Sequence, residues 1–112
     1  MEPKLSSDLL RGHTDTIVLG GLMRTDRYGF EIYNRILELT GEAYELKETT
    51  LYSSYKRLEQ DGYITSYWGD ETRGARRKYY HITEKGRALY RQNILDWQFT
   101  QTILNDLLKE EE

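Results

Sequence analysis

Apolar positions recur every three or four residues through the first sixty residues of the chain, then every second residue, then every three or four again. In residues 7–25, Leu10, Ile17, Val18 and Leu22 keep helical spacing with Thr14 among them, so one helix is predicted. Gly20-Gly21 weakens it by roughly 1 kcal/mol per glycine relative to alanine, unless the small residues admit a close neighbour. Thr25-Asp26-Arg27 is a predicted break, with Asp26 able to cap the second helix. Residues 28–40 form that helix, with Ile32, Ile36 and Leu39 on one face, widened by Tyr33 and Leu37. Gly41 stands where a C-terminal cap belongs. Residues 48–61 make a third helix facing the core with Leu51, Tyr55 and Leu58, and Asp61-Gly62 stops it.

The period then becomes two. Residues 63–68 are rich in strand formers, with Ile64 and Trp68 on one face. Residues 69–74 are a glycine-bounded turn and residues 77–82 a second strand, which together make a β-hairpin. Thr83 can cap a last helix over residues 84–109. Ile94, Trp97, Gln101, Leu104 and Leu108 form a heptad-like seam on it, with Ile103 and Leu107 beside. A helix of about 26 residues is about 39 Å long. That exceeds the reach of a core of this size, so the seam of Ile94, Trp97, Leu104 and Leu108 needs a partner.

The fold class is therefore mainly α with a small β-hairpin, in the order of a winged helix-turn-helix with a long C-terminal dimerisation helix. Residues 1–83 would form the DNA-binding part and residues 84–112 the dimerisation helix, within one compact unit. At 112 residues the chain suits one domain. It has no cysteine, two histidines 68 positions apart, one proline and ten tyrosines. Disulfides and thiolate metal sites are excluded, no cofactor or metal is expected, and a reducing cytoplasm is the expected setting. No apolar run reaches bilayer length and Met1-Glu2-Pro3-Lys4 does not open a signal peptide, so no membrane association is expected. No Gly-rich phosphate loop, zinc spacing or nucleophile elbow is present, which speaks against an enzyme. His81, on a strand, reads as a structural histidine, and the acidic end from Lys109 as a solubilising tail.

The net charge is −3, but residues 73–91 hold seven Lys/Arg against one Asp/Glu. A polyanion responds to such a local patch rather than to the average. Arg73, Arg76, Arg77 and Lys78 lie at the tip and return arm of the hairpin, where cations reach phosphate or the minor groove. The alternative is a solvated loop. The third helix is the reading helix, with Lys47, Thr49, Thr50, Tyr52, Ser53 and Lys56 at its exposed N-terminal side, facing a double-stranded DNA operator. Tyr52 either packs on a thymine methyl or sugar, or fills the groove between helices. Arg57 is expected to meet backbone or an acidic neighbour such as Asp61.

The stretches Glu48-Thr49-Thr50-Leu51-Tyr52, Lys56-Arg57-Leu58-Glu59-Gln60-Asp61-Gly62, Arg76-Arg77-Lys78-Tyr79-Tyr80 and Ile82-Thr83-Glu84-Lys85-Gly86, with Tyr28-Gly29, resemble the PadR family of bacterial transcriptional regulators over roughly residues 7–108. Tyr67-Trp68-Gly69-Asp70-Glu71 and Trp97 are similar to a small branch typified by a lactococcal multidrug-resistance repressor. That resemblance implies a homodimeric repressor whose paired Trp97 rings stack on a planar aromatic effector, with Asp15, Thr16, Gly20, Tyr90, Asn93, Ile94 and Gln101 around it. Without the resemblance, a tryptophan in such an apolar seam reads as interface packing rather than as a ligand plate. Two departures matter. Lys47-Glu48 stands where many relatives have Ser-Pro, and Gln101 stands where the multidrug repressor has an acidic residue. Two alternatives stay open: a winged-helix protein-interaction module, and a repressor answering to a phenolic acid or another signal.

Overall fold

The elements run α1 (Ser7–Leu10), α2 (Thr14–Leu22), β1 (Arg27–Tyr28), α3 (Gly29–Leu39), α4 (Glu48–Gln60), β2 (Ile64–Trp68), β3 (Lys78–Ile82) and α5 (Glu84–Leu107). The structure, a computed structural model, describes residues 5, 7–70 and 76–110. Arg73 and most of the expected hairpin turn lie outside the described residues. α2, α3 and α4 with the β2–β3 wing form a winged helix-turn-helix, as the periodicity predicts.

The single helix expected over residues 7–25 is two helices. Gly12 takes φ +91° between them, a conformation costly for any residue with a Cβ, and α2 starts afresh at Thr14. Gly20 and Gly21 do not break α2. A Cβ on Gly20 would stand 3.0 Å from the Tyr90 ring of α5, and Gly21 is buried, so missing side chains are exchanged for a close helix contact.

The core is Val18, Leu19 and Leu22 of α2, Ile32 and Ile36 of α3, Leu46, then Leu51, Tyr55 and Leu58 of α4, closed by Ile64, Tyr80 and Ile82 from the wing. Burying such a side chain contributes roughly 1.5–3 kcal/mol. Tyr55 is polar at one end, and its hydroxyl donates to the Gly29 carbonyl at 2.8 Å. Burial pushes the Tyr55 phenol far up and that of Tyr80, whose ring lies 4.6 Å away, up to about 12. Two residues that share a predicted face with core positions lie outside it. Leu39 is 67% exposed because α3 outruns the core by a turn. Trp68 is 60% exposed because β2 runs past the core edge, leaving Ile64 as its fully buried residue.

The sheet has three strands in the order β1-β3-β2, all antiparallel, with Ile64 opposite Ile82, Trp68 opposite Lys78 and Arg27 opposite Tyr80. β1 is not predicted by the sequence pattern, and it occupies part of the expected break at residues 25–27. Asp26 does not cap α3; the N-cap is Tyr28, whose N–H donates to the Glu31 carboxylate at 3.4 Å. Asp26 turns to the wing instead. It accepts from the Tyr67 hydroxyl at 2.5 Å, and its other oxygen lies 2.8 Å from His81 Nδ1.

Thr83 caps α5, its hydroxyl accepting from the Gly86 N–H at 3.1 Å and lying 2.8 and 3.0 Å from the Gly62 and Tyr63 carbonyls. Lys85 donates to the Asp61 carbonyl at 2.6 Å and covers the Tyr63 ring. The segment 82–86 thereby fastens α5 to the end of α4. The N-terminal half of α5 packs on α2, while every residue from Leu95 to the end of the helix is exposed. No helix among the described residues is long and apolar enough to cross a membrane.

Candidate nucleic-acid interface

α4 divides into two faces. Leu51, Ser54, Tyr55 and Leu58 are buried, so Thr49, Thr50, Tyr52, Ser53 and Lys56 must face out, and all five are exposed. Lys47 is the N-cap and makes no side-chain cap bond. The first-turn N–H groups are therefore open to an outside acceptor, an arrangement that suits anions. Ser53 Oγ donates to the Thr49 carbonyl at 2.9 Å, which fixes its rotamer and leaves its lone pairs outward.

Tyr52 fills the groove between α3 and α4 and still presents a face to solvent. It is 48% exposed, yet its ring meets Tyr55 edge-on at 5.1 Å and its hydroxyl touches the start of α3. A Cβ on Gly29 would stand 2.7 Å from the Tyr52 hydroxyl oxygen and 3.1 Å from the Tyr55 ring. The Tyr28-Gly29 pair is thus what lets α3 end-pack on α4 and sets the angle between the two helices.

Arg57 meets an acidic neighbour as expected, but its ion pair is with Asp15 rather than Asp61. Its guanidinium grips Asp15 of α2, with Nε donating to Oδ2 at 3.1 Å and Nη2 to Oδ1 at 2.5 Å, while buried Ser54 donates to the same carboxylate at 2.7 Å. Burial opposes the charge on Asp15, but the bonds from Arg57 and Ser54 outweigh it and hold the carboxyl below its usual range. Asp15 therefore faces α4 and does not line the hollow at Trp97 in the single chain.

On the wing, Arg76 and Arg77 are exposed. The Arg77 guanidinium carbon lies 4.6 Å above the Tyr28 ring, and Lys78 Nζ is 3.8 Å from Glu59. These side chains border a groove of about 470 Å³ between the wing, the start of α3 and α4. Phe30, 47% exposed, also lines it and is absent from the residues expected there. Its signal lies in an aromatic residue directly after the Tyr28-Gly29 helix start.

The second expected site is only partly assembled. The Asn93 amide donates to the Thr16 hydroxyl at 2.8 Å, and Gly20 lies against Tyr90, so these four meet between α2 and α5. Trp97, 41% exposed, stands edge-on to His13 at 5.0 Å beside an open hollow of about 230 Å³. Ile94 and Gln101 are not part of its lining, whereas His13, Asp96 and Thr100 are. The signal for His13 is its place three residues before Thr16, on the same side of the chain. Leu104 and Leu108 are exposed further along α5.

The sequence matches the transcriptional regulator PadR-like family over residues 18–92. It is similar to a solved transcriptional regulator from Clostridium thermocellum at 48% identity, covering 94% of this chain and 99% of that one, with a TM-score of 0.86. A PadR family transcription regulator from Clostridium difficile R20291 is 33% identical over 87% of this chain and 99% of its own, TM-score 0.76. The fold is also that of Bacillus subtilis PadR, solved in complex with operator DNA, which is 22% identical over 71% of this chain and 46% of that chain, TM-score 0.65. An exposed hydroxyl-lined helix beside a cationic wing, on a chain matched over two thirds of its length, gives one conclusion: the chain belongs to the PadR-like family of transcriptional regulators.

Proposed function

We propose that the chain is a cytoplasmic repressor that binds an operator as a homodimer and lets go when a planar aromatic ligand enters beside Trp97. The observation that carries the DNA half is that Tyr52 of α4 meets Arg76 and Arg77 of the wing around one groove, while Thr49, Thr50, Ser53 and Lys56 are exposed on the same helix. Residues 1–83 read and hold the duplex; residues 84–112 pair the subunits. Thr49, Thr50, Tyr52 and Ser53 supply base preference, with Lys47 and Lys56 on phosphate. Arg73, Arg76, Arg77 and Lys78 clamp the backbone. A two-fold axis through α5 would set two reading helices in successive major grooves, about 34–36 Å apart, on a near-palindromic site. The operator complex of the Bacillus subtilis relative supports this use of the fold.

The ligand half rests on Trp97, partly exposed at an open hollow with Asn93 and Thr16 as polar neighbours. A ligand there can release DNA only by favouring one spacing of the two reading helices over another. Fluorescence anisotropy with duplex from upstream of the protein's own gene tests the DNA half. Salt-sensitive binding competed by that duplex alone supports it, and a monomer indifferent to DNA at low ionic strength overturns it. A cationic planar dye tests the ligand half: quenching should vanish in Trp97→Ala and persist in Trp68→Ala.

A further inference from the structure

We propose that the wing groove is a second small-molecule site, selective for planar aromatic anions, and that its occupant competes directly with DNA. Tyr28, Phe30, Tyr52 and Trp68 line this groove together with Arg76 and Arg77. Three of the rings, Phe30, Tyr52 and Trp68, are between 47% and 60% exposed, an unusual concentration of aromatic surface on a small domain. Among the described residues, none that lines the groove is acidic. By contrast, the hollow at Trp97 holds Asp96, the one between α2 and α4 holds Asp15, and the one beside α3 holds Glu31 and Glu38. The wing groove therefore pairs flat apolar walls with guanidinium groups at its rim. Its volume of about 470 Å³ admits a one- or two-ring molecule.

The chemistry fixes the ligand class. Rings bury and stack a planar face, with preferred centroid separations of about 4.5–7 Å. A guanidinium takes a carboxylate in paired hydrogen bonds, and Arg77 is already steadied against the Tyr28 face at 4.6 Å. A neutral aromatic would gain only the first contribution and an aliphatic anion only the second. Competition arises because Tyr52, Arg76 and Arg77 are the groups proposed to hold DNA; this part rests on that reading.

The two tryptophans of the chain make the test clean, since one stands at each site. In Trp97→Phe the remaining emission comes from Trp68. Addition of 4-nitrobenzoate should quench it saturably, and uncharged 4-nitrobenzamide should need at least tenfold more. Replacing both Arg76 and Arg77 by alanine should erase that preference, and duplex DNA should displace the anion. Linear, collisional quenching, or equal response to both probes, overturns the site. If quenching is absent while the duplex still binds, the site fails and the DNA reading stands. Saturable binding that a bound duplex does not displace overturns the competition and counts against the proposed DNA face.

Discussion

Gly86 sits where the first turn of α5 crosses the end of the wing, and a Cβ there would stand 2.1 Å from the Tyr63 carbonyl oxygen and 2.8 Å from Ile82. Neither neighbour is a flexible side-chain tip that can swing aside. Gly86→Ala should therefore cost about 1–3 kcal/mol or more through overpacking. A thermal melt should show a drop of several degrees, and an unchanged midpoint would mean that α5 is not clamped to the wing. Asp15 and Asp26 argue the pH dependence. Burial opposes each charge, but hydrogen bonds from Arg57 and Ser54 to Asp15, and from Tyr67 and His81 to Asp26, hold both carboxyls below the ordinary aspartate value in the folded protein. A lowered folded value means that the unfolded chain binds protons first as pH falls. The stabilisation is thus complete above about pH 5 and is lost as pH drops through the folded values. Urea midpoints measured between neutral and acidic pH should fall, and Asp15→Asn should reduce the pH-dependent part of that fall.

At the scale of elements, α4 and the wing should separate specificity from affinity. Arg77→Ala should weaken binding to every duplex and flatten the salt slope by roughly one unit. Thr50→Ala should alter sequence preference with little change in that slope. Anisotropy titrations at several salt concentrations check both, and a sequence-selective loss in Arg77→Ala would contradict its assignment to the backbone. α3, α4, the β2–β3 hairpin and the Thr83 cap are legible in the sequence because each has a local cause: a 3.6-residue period, an alternation of strand formers, or a hydroxyl before a helix. The rest needs tertiary information. β1 is two residues long, too short for any period to register. Gly12 breaks the first helix although the apolar spacing runs on across it. Asp15 and Thr16 are adjacent, about 100° apart around α2, and so one faces α4 and the other α5. Sequence spacing tells which residues share a face, but not which neighbour that face will meet. The same gap explains Trp68, which shares a strand face with Ile64 but lies beyond the end of the core.

For the whole molecule, the decisive proportion is length. The described residues extend 64 Å along their longest axis against 33 and 21 Å across, because α5 outreaches the core. Its outer half carries Trp97, Phe99, Ile103, Leu104, Leu107 and Leu108, each 40% exposed or more in the single chain. Under the proposed pairing, replacing Leu104 and Leu108 together by glutamate should give a monomer in analytical ultracentrifugation while the wing and α4 stay folded. A variant still sedimenting as a pair would move the interface elsewhere. The overhang has a further consequence for how such a regulator answers to its own supply. If a second copy covers this apolar surface, as proposed, folding stability is tied to protein concentration and melting points should climb as the sample is concentrated. In a cell with few copies, promoter occupancy would then rise with roughly the square of abundance, and a small change in synthesis would throw a switch that ligand alone need not touch.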